Sequence, residues 1–361
     1  MASANLMHVI LTIDHDRLQD DRPTLVKIAQ GLLEAGIEQT HVLGSPQSGE
    51  LATPLVEDID THSTTMPPRW GYRAEAVGVL SPLISRRPVD VLCWSGDGAA
   101  VTARDLATRL EIPLACDTWR AEQIDGASRR PYVDTWIARS NAIADGLRSI
   151  IRHGTVITAR SPIDLPPSMR TPDTRPSIVV LDPGPGKHKD AVPLLEALAA
   201  VLKQRPDVEA FLELRGGTSH RLWRIVSKLG LCERVTVLGH VGMLGPLVAG
   251  ATILVSPDPA GPARTLIPMA MCGGAAIVCA SSEWEDLLIP GQTAQVPASF
   301  DVTGWTAAIG GLLADPPTRQ AIAQAGEQAA KAECRPDTAI AAWITAITAS
   351  AESVSYPIGT Q

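Results

Sequence analysis

A chain of 361 residues, 45% of them hydrophobic, is long and apolar enough to bury two cores of ordinary domain size, which excludes global disorder. Its 39 acidic and 31 basic residues leave a net charge of −8 with no run of Lys or Arg, an arrangement that argues against non-specific nucleic-acid binding. The six cysteines form no CxxC pair and the eight histidines show no HxxxH or HExxH spacing, so the chain reads as a reduced, metal-free protein of the cytoplasm.

The first apolar run, in MASANLMHVILTIDHD, has no basic flank and is too short to cross a bilayer; it reads as a buried strand, His8–Ile13. DHDRLQDDRPT (Asp14–Thr24) follows as an acidic loop without glycine. THSTTMPPRWGYR (Thr61–Arg73) reads as a polar loop whose Trp70 and Tyr72 either stack on a sugar or pack on their own domain. Further strands are expected at Asp90–Trp94, Ile112–Cys116 and Thr135–Arg139. WSGDGAA places Asp97 between glycines at a helix start. Ile143, Leu147, Ile150 and Ile151 form one helical stripe.

SPIDLPPSMRTPDTRPS (Ser161–Ser177) carries five prolines and neither helical nor strand periodicity, so it reads as a semi-rigid connector. Beyond it come strands at Ser177–Leu181, Arg234–Leu238, Thr252–Ser256 and Ala275–Cys279. A helix is marked by Ala191, Leu194, Leu195, Leu198, Val201 and Leu202. β-Branched runs apolar on both faces, alternating with helices, imply parallel sheets covered on both sides. The expected architecture is α/β: residues 1–160 form one Rossmann-like domain, 161–176 a linker, 177–335 a second Rossmann-like domain, and 336–350 a helix returning to the first. A ligand is expected in the cleft between the two, at the carboxyl ends of their strands. The tail ESVSYPIGTQ reads as frayed.

Several segments resemble the family-4 retaining glycosyltransferases, in order and spacing. TWIARSNAIADGLRSI followed by VITARSPIDL resembles the family's strand–helix–strand before its "NGVD" linker. LGLCERVTVLGHV, ending at Val241, resembles the loop that meets the nucleotide base. GATILVSPDPAGPARTLIPMAMCGGAAIV resembles the core with "EGFG" and "EAMACG", and SSEWEDLLIPGQTAQVP, containing Glu285, resembles the element after it. The resemblance implies a GT-B fold of two facing Rossmann-like domains and transfer of a sugar from a nucleoside-diphosphate sugar to an acceptor with retention. It implies no metal and no cofactor beyond the donor itself. The diphosphate charge is instead neutralised by Arg, Lys and a helix terminus.

The residues that carry this chemistry are only partly present. Lys189 in DPGPGKHKDA matches the family's diphosphate lysine, while Gly184 stands where its arginine would be; Lys187 is adjacent. The resemblance gives Gly261 to the donor loop and Arg264 to the start of the following helix, where a guanidinium either meets phosphate or stays solvated. Ala260 and Pro268 replace the two glutamates that hold the sugar nucleotide, and Asp258 stands near the first. Asp117 falls where the family has a histidine near the donor sugar, and either contacts a sugar hydroxyl or caps a helix. Asp117 and Asp97 are the catalytic candidates, and Lys189, Arg264, Gly261, Lys187, Glu285 and Val241 the donor-binding ones.

Two functions follow from the resemblance. One is a sugar-nucleotide-dependent transferase with an altered donor site and an acceptor the residues do not specify. The other is a catalytically inactive relative that binds a ligand or partners an active transferase. An unrelated function on a similar architecture, as in epimerases, ranks third.

Overall fold

The computed structural model describes residues 7–45, 52–66, 87–163, 175–182, 191–214, 219–238, 244–257, 265–279, 284 and 286–353. The chain divides into two compact units, one of Met1–Pro162 with Pro336–Gln361 and one of Ile163–Arg335. Each is built on a parallel sheet.

The first unit runs β1 (His8–Ile13), α1 (His15–Glu34), β2 (Glu38–Ser45), β3 (Asp60–Thr65), β4 (Val91–Ser95), α2 (Ala100–Leu110), β5 (Leu114–Thr118), α3 (Ile124–Ala127), β6 (Thr135–Ala138), α4 (Asn141–Ile150) and β7 (Thr155–Thr158). Its seven strands lie in the order β3-β2-β1-β4-β5-β6-β7. The strand order reverses between β1 and β4, the switch point of a doubly wound sheet. One face buries Val9, Leu11, Cys93, Ala115 and Ile137 beneath α1 and a helix from the far end of the chain, α11 (Pro336–Ala351), which contributes Trp343, Ala346 and Ile347. Strand alternation turns Trp94 and Trp136 to the opposite face, where their rings meet edge-on, 6.5 Å between centroids.

The second unit runs β8 (Ser177–Val180), α5 (Ala191–Gln204), β9 (Glu209–Glu213), α6 (Ser219–Lys228), β10 (Val235–Leu238), α7 (Leu244–Ala249), β11 (Ile253–Val255), α8 (Leu266–Cys272), β12 (Ala276–Val278), α9 (Val302–Ala314) and α10 (Pro316–Glu333). Its strands lie in the order β10-β9-β8-β11-β12, with the switch point between β8 and β11. The stripe Ala191, Leu194, Leu195, Leu198, Val201 and Leu202 of α5 is wholly buried, packed with Trp305 and Ile309 of α9. Gly273, which ends α8, allows a close approach between helices. A Cβ placed there would fall 2.0 Å from the carbonyl oxygen of Ala249, at the end of α7.

Several local expectations are corrected. Asp14–Thr24 is not a loop: Asp14 accepts a hydrogen bond from the Arg17 N–H as the N-cap of α1, and helix begins at once. The helix kinks at Asp21 (φ −150°, ψ 41°), two residues before Pro23, whose ring has no N–H to continue the ladder. β5 begins at Leu114 rather than Ile112, because Glu111 ends α2 in the left-handed region (φ 56°) and the chain needs Ile112 and Pro113 to turn. Thr61–Thr65 belongs to strand β3, at the edge of the sheet among the described strands; Trp70 and Tyr72 lie outside the described residues. The strands β2 and β9 lack an obvious apolar run and were not anticipated. Of the expected connector, Ser161, Pro162 and Ile163 are buried, the Ile163 N–H donating to the Cys334 carbonyl, and 164–174 lie outside the described residues. Cys93, Cys116, Cys272 and Cys279 are buried and form no disulfide among the described residues, and burial pushes the Cys272 thiol up to about 11.

Two stability predictions follow from this packing. Gly273→Ala forces α8 away from α7, at an expected cost of about 1–3 kcal/mol, readable from the midpoint of urea unfolding. His41 of β2 is wholly buried, its Nε2 3.1 Å from Gln39 Oε1 and its Nδ1 without a partner; burial lowers its pKa to about 4. The unfolded chain takes up that proton near pH 6.5, so stability present above pH 6.5 falls as pH drops towards 4, by up to about 3 kcal/mol from this residue. Unfolding curves at pH 7 and pH 4.5 should therefore converge in His41→Phe relative to wild type, and parallel losses in both proteins would refute the assignment.

Candidate functional site

In a doubly wound sheet, ligands are received outside the carboxyl ends of the strands, at the switch point. In the first unit that position is closed by the protein itself. β1 is separated from α1 by the single residue Asp14, whose two carboxylate oxygens accept from the N–H groups of Arg17 and Gly98, both at 2.7 Å. Gly96 (φ 94°) passes so close that a Cβ there would lie 2.2 Å from the same carboxylate. A carboxylate thus occupies the space between the ends of β1 and β4. Burial raises the Asp14 pKa, the two N–H donors opposing the rise.

Beside it lies a buried ionic cluster. Asp117 of β5 has no exposed surface and forms a fork with Arg139, at 2.6 Å to Nε and 2.8 Å to Nη2. It also accepts from the Ser95 hydroxyl, and Arg17 Nε lies 3.7 Å away. Arg17 in turn donates to Ser95 Oγ and pairs with Asp21 at 3.1 Å. Arg17 Nη2 and Arg139 Nη1 find no acceptor; the guanidinium of Arg17 lies over Trp119 (4.3 Å) and that of Arg139 over Trp343 of α11 (5.0 Å). Burial alone would raise the pKa of Asp117, but the charge and hydrogen bonds of Arg139, helped by Arg17 and Ser95, hold it below the usual carboxylate range.

This changes the expectation for Asp117. It neither caps a helix nor faces a ligand, since both oxygens are engaged and enclosed. Asp97, the other catalytic candidate, sits one strand away after β4. Its side chain is 62% exposed, with Arg130 Nη2 at 3.3 Å and Gln123 Nε2 at 3.4 Å. The two aspartates share one edge of the sheet but not one environment. Arg17, Arg139 and Ser95 were not anticipated. An ion pair drawn from segments more than twenty residues apart leaves no local spacing in the sequence.

In the second unit the edge at the switch point is reached by β8 and β11, held together by the Leu181 N–H on the Val255 carbonyl at 2.9 Å. The chain leaves β8 through Asp182, whose N–H donates to the buried Glu213, and leaves β11 through Ser256. Lys187 and Lys189 follow the first exit, and Ala260, Gly261 and Arg264 the second. All five, with Val241 and Glu285, lie outside the described residues. Pro268 is described: it is buried in the first turn of α8, where its missing N–H is no loss, and it offers no acceptor.

Removing one partner of the Asp117–Arg139 pair strands a buried charge. Arg139→Leu is expected to cost about 3–5 kcal/mol in urea unfolding at pH 7, with the double variant Asp117→Leu/Arg139→Leu recovering part of that loss. A single-variant cost below about 1 kcal/mol would show that the pair does not organise this edge.

The chain matches no family model and no curated protein. Solved structures do resemble it. Sucrose-phosphate synthase (tll1590) from Thermosynechococcus elongatus aligns with a TM-score of 0.74 at 14% identity, over 94% of this chain and 98% of that one. Anabaena Alr3699/HepE, in complex with UDP and glucose, aligns with a TM-score of 0.75 at 16% identity, over 95% and 99%. A glycosyltransferase from Rickettsia africae ESF-5 gives 0.74 at 13%, over 97% and 100%. At these identities the likeness establishes the fold: an α/β chain of two Rossmann-like units of the GT-B type.

Proposed function

We propose that this protein binds a nucleoside-diphosphate sugar on its second unit and transfers the sugar to an acceptor, with retention. The observation that carries the reading is the adjacency of the β8 and β11 exits. It draws two sequence segments with the residue types that diphosphate binding needs, Lys187 and Lys189 after β8 and Arg264 after β11, from neighbouring points of one sheet edge. That edge is also where a fold of this class receives its ligands. Support comes from the structural neighbours, among which HepE has been solved with UDP and with UDP-glucose.

In the proposed reaction the bond from the anomeric carbon to the diphosphate oxygen breaks as a bond to the acceptor oxygen forms. The acceptor hydroxyl releases its proton to solvent, and the leaving diphosphate keeps the electron pair of the broken bond as negative charge. Lys189 and Arg264 would stabilise that charge, Gly261 would admit the donor, and the segments with Val241 and Glu285 would border the base and the sugar. Charge-assisted contacts to phosphate are worth more than neutral ones, and more still where water is excluded. The acceptor base is not assigned to Asp117, whose carboxylate is enclosed; Asp97 is an exposed carboxylate at the first unit's edge.

Two observations favour a second reading, a catalytically inactive relative acting as a binding or partner subunit. Pro268 is a buried apolar residue where the resemblance places a glutamate, and Asp14 fills the turn at the first unit's switch point. Each lost carboxylate contact to a donor hydroxyl weakens binding by roughly tenfold or more.

Calorimetric titration with UDP, GDP and UDP-glucose, paired with an assay for UDP release from UDP-glucose, separates the readings. Binding with turnover, each reduced about tenfold in Lys189→Ala and Arg264→Ala, is the expected result. Binding without turnover selects the partner-subunit reading. A folded protein that binds none of the three overturns donor binding.

A further inference from the structure

The connection between β9 and β10 carries positive charge that the proposed transfer does not use. Between Glu213 and Glu233 the sequence contains no acidic residue, yet it contains Arg215, His220, Arg221, Arg224 and Lys228, on a chain of net charge −8. Helix α6 holds the last four of these. Its buried stripe is Leu222 and Val226, with Ile225 and, just past the helix, Leu229 packed partly against the same core. That spacing fixes the rotation of the helix, so the positions between must face outward.

What faces outward is of one sign. His220, Arg224 and Lys228 are exposed and follow each other at i, i+4 spacing, in one row along the helix, and Arg221 is exposed beside them. Like charges at this spacing oppose helix formation. Among the described residues His220, Arg224 and Lys228 have no carboxylate partner. Glu213 is buried and accepts the Asp182 N–H, while Glu233 is exposed beyond the end of the helix. Trp223 flanks the row on the other side and leaves 38% of its surface in water. The core thus takes the aliphatic side of α6, and an indole and a row of cations are left outside.

We infer that this face docks on an anionic lipid surface. The charges of Arg221, Arg224 and Lys228 meet lipid phosphates, and Trp223 enters the headgroup layer, where an indole keeps its ring in an apolar setting and its N–H in a wet one. Charge complementarity is the main attraction, and the acidic remainder of the chain orients the protein with this face towards the membrane. The size of the face argues against a protein partner. A helix of ten residues is about 15 Å long, and one side of it falls well short of the roughly 800 Å² per partner that a stable protein interface buries. Its convexity argues against a nucleic acid, which is held in a groove that tracks the backbone. A flat, diffuse anionic surface needs neither area nor groove. Among the described residues no helix is long and apolar enough to cross a membrane, and contact through α6 is with the headgroups alone. The face uses none of the residues assigned to the donor.

Flotation of the full chain with vesicles tests it, comparing phosphatidylcholine alone with a mixture of phosphatidylcholine and phosphatidylglycerol. Wild type should float with the mixed vesicles only and be released by molar salt. The variant Arg224→Gln/Lys228→Gln alters two exposed, unpaired side chains, so it should unfold in urea as wild type does, while its partitioning falls roughly thirtyfold. A second readout needs no change at the helix. Cys232 is exposed while the other five cysteines are buried, so an environment-sensitive dye can be placed just past α6, and its emission should shift to the blue on the mixed vesicles. No flotation, flotation with both vesicles alike, a double variant that floats as wild type does, or a dye that stays silent while the protein floats would each overturn the proposed face. Tighter binding to polyuridylate than to the mixed vesicles would overturn the lipid partner.

Discussion

Asp117 is a full negative charge with no contact with water, and the first unit's carboxyl edge is arranged to make that possible. Its desolvation would otherwise neutralise it. Arg139 at the end of β6 supplies a fork of two hydrogen bonds, Ser95 at the end of β4 a hydroxyl, and Arg17 in the first turn of α1 a second positive charge. Those partners come from three other elements, so the register of β4, β5 and β6 and the starting point of α1 are tied to one carboxylate. Trp343 of α11 lies against the far side of Arg139 and brings the end of the chain into the same arrangement.

The two sheets share a topology but treat their switch points differently. In the first, helix follows strand after one residue, and the Asp14 carboxylate satisfies the N–H groups that a glycine turn would offer to a phosphate. In the second, the strands on either side of the switch point continue into Pro- and Gly-containing segments with Lys187, Lys189 and Arg264. On the proposed function the charge for an anionic donor comes from the second unit, whereas in the first Arg17 and Arg139 are engaged in internal pairing.

What was legible in the chain was what local spacing encodes. The β-branched runs that became β1, β8, β11 and β12 are buried on both faces, and the α5 stripe is buried residue for residue. The strands β2 and β9 escaped notice because polar residues such as Gln39, His41 and Glu213 are accommodated in them by partners distant in sequence, or, for His41, by staying neutral. The acidic stretch Asp14–Thr24 read as a loop because side-chain charge dominates its composition; in the fold Asp14 is a cap, Asp21 pairs with Arg17, and the helix forms.

The sequence by itself determined the alternation of strands and helices, the parallel character of both sheets and the absence of carboxylates at Ala260 and Pro268, since each is carried by residue type and short-range period. Only the tertiary structure decided that Asp117 is enclosed while Asp97 is exposed, and that Asp14 fills the first switch point. The physical reason is the same in each case. Burial and charge pairing are set by which distant segments the sheet places side by side, and nothing in the local sequence reports what will stand across a strand.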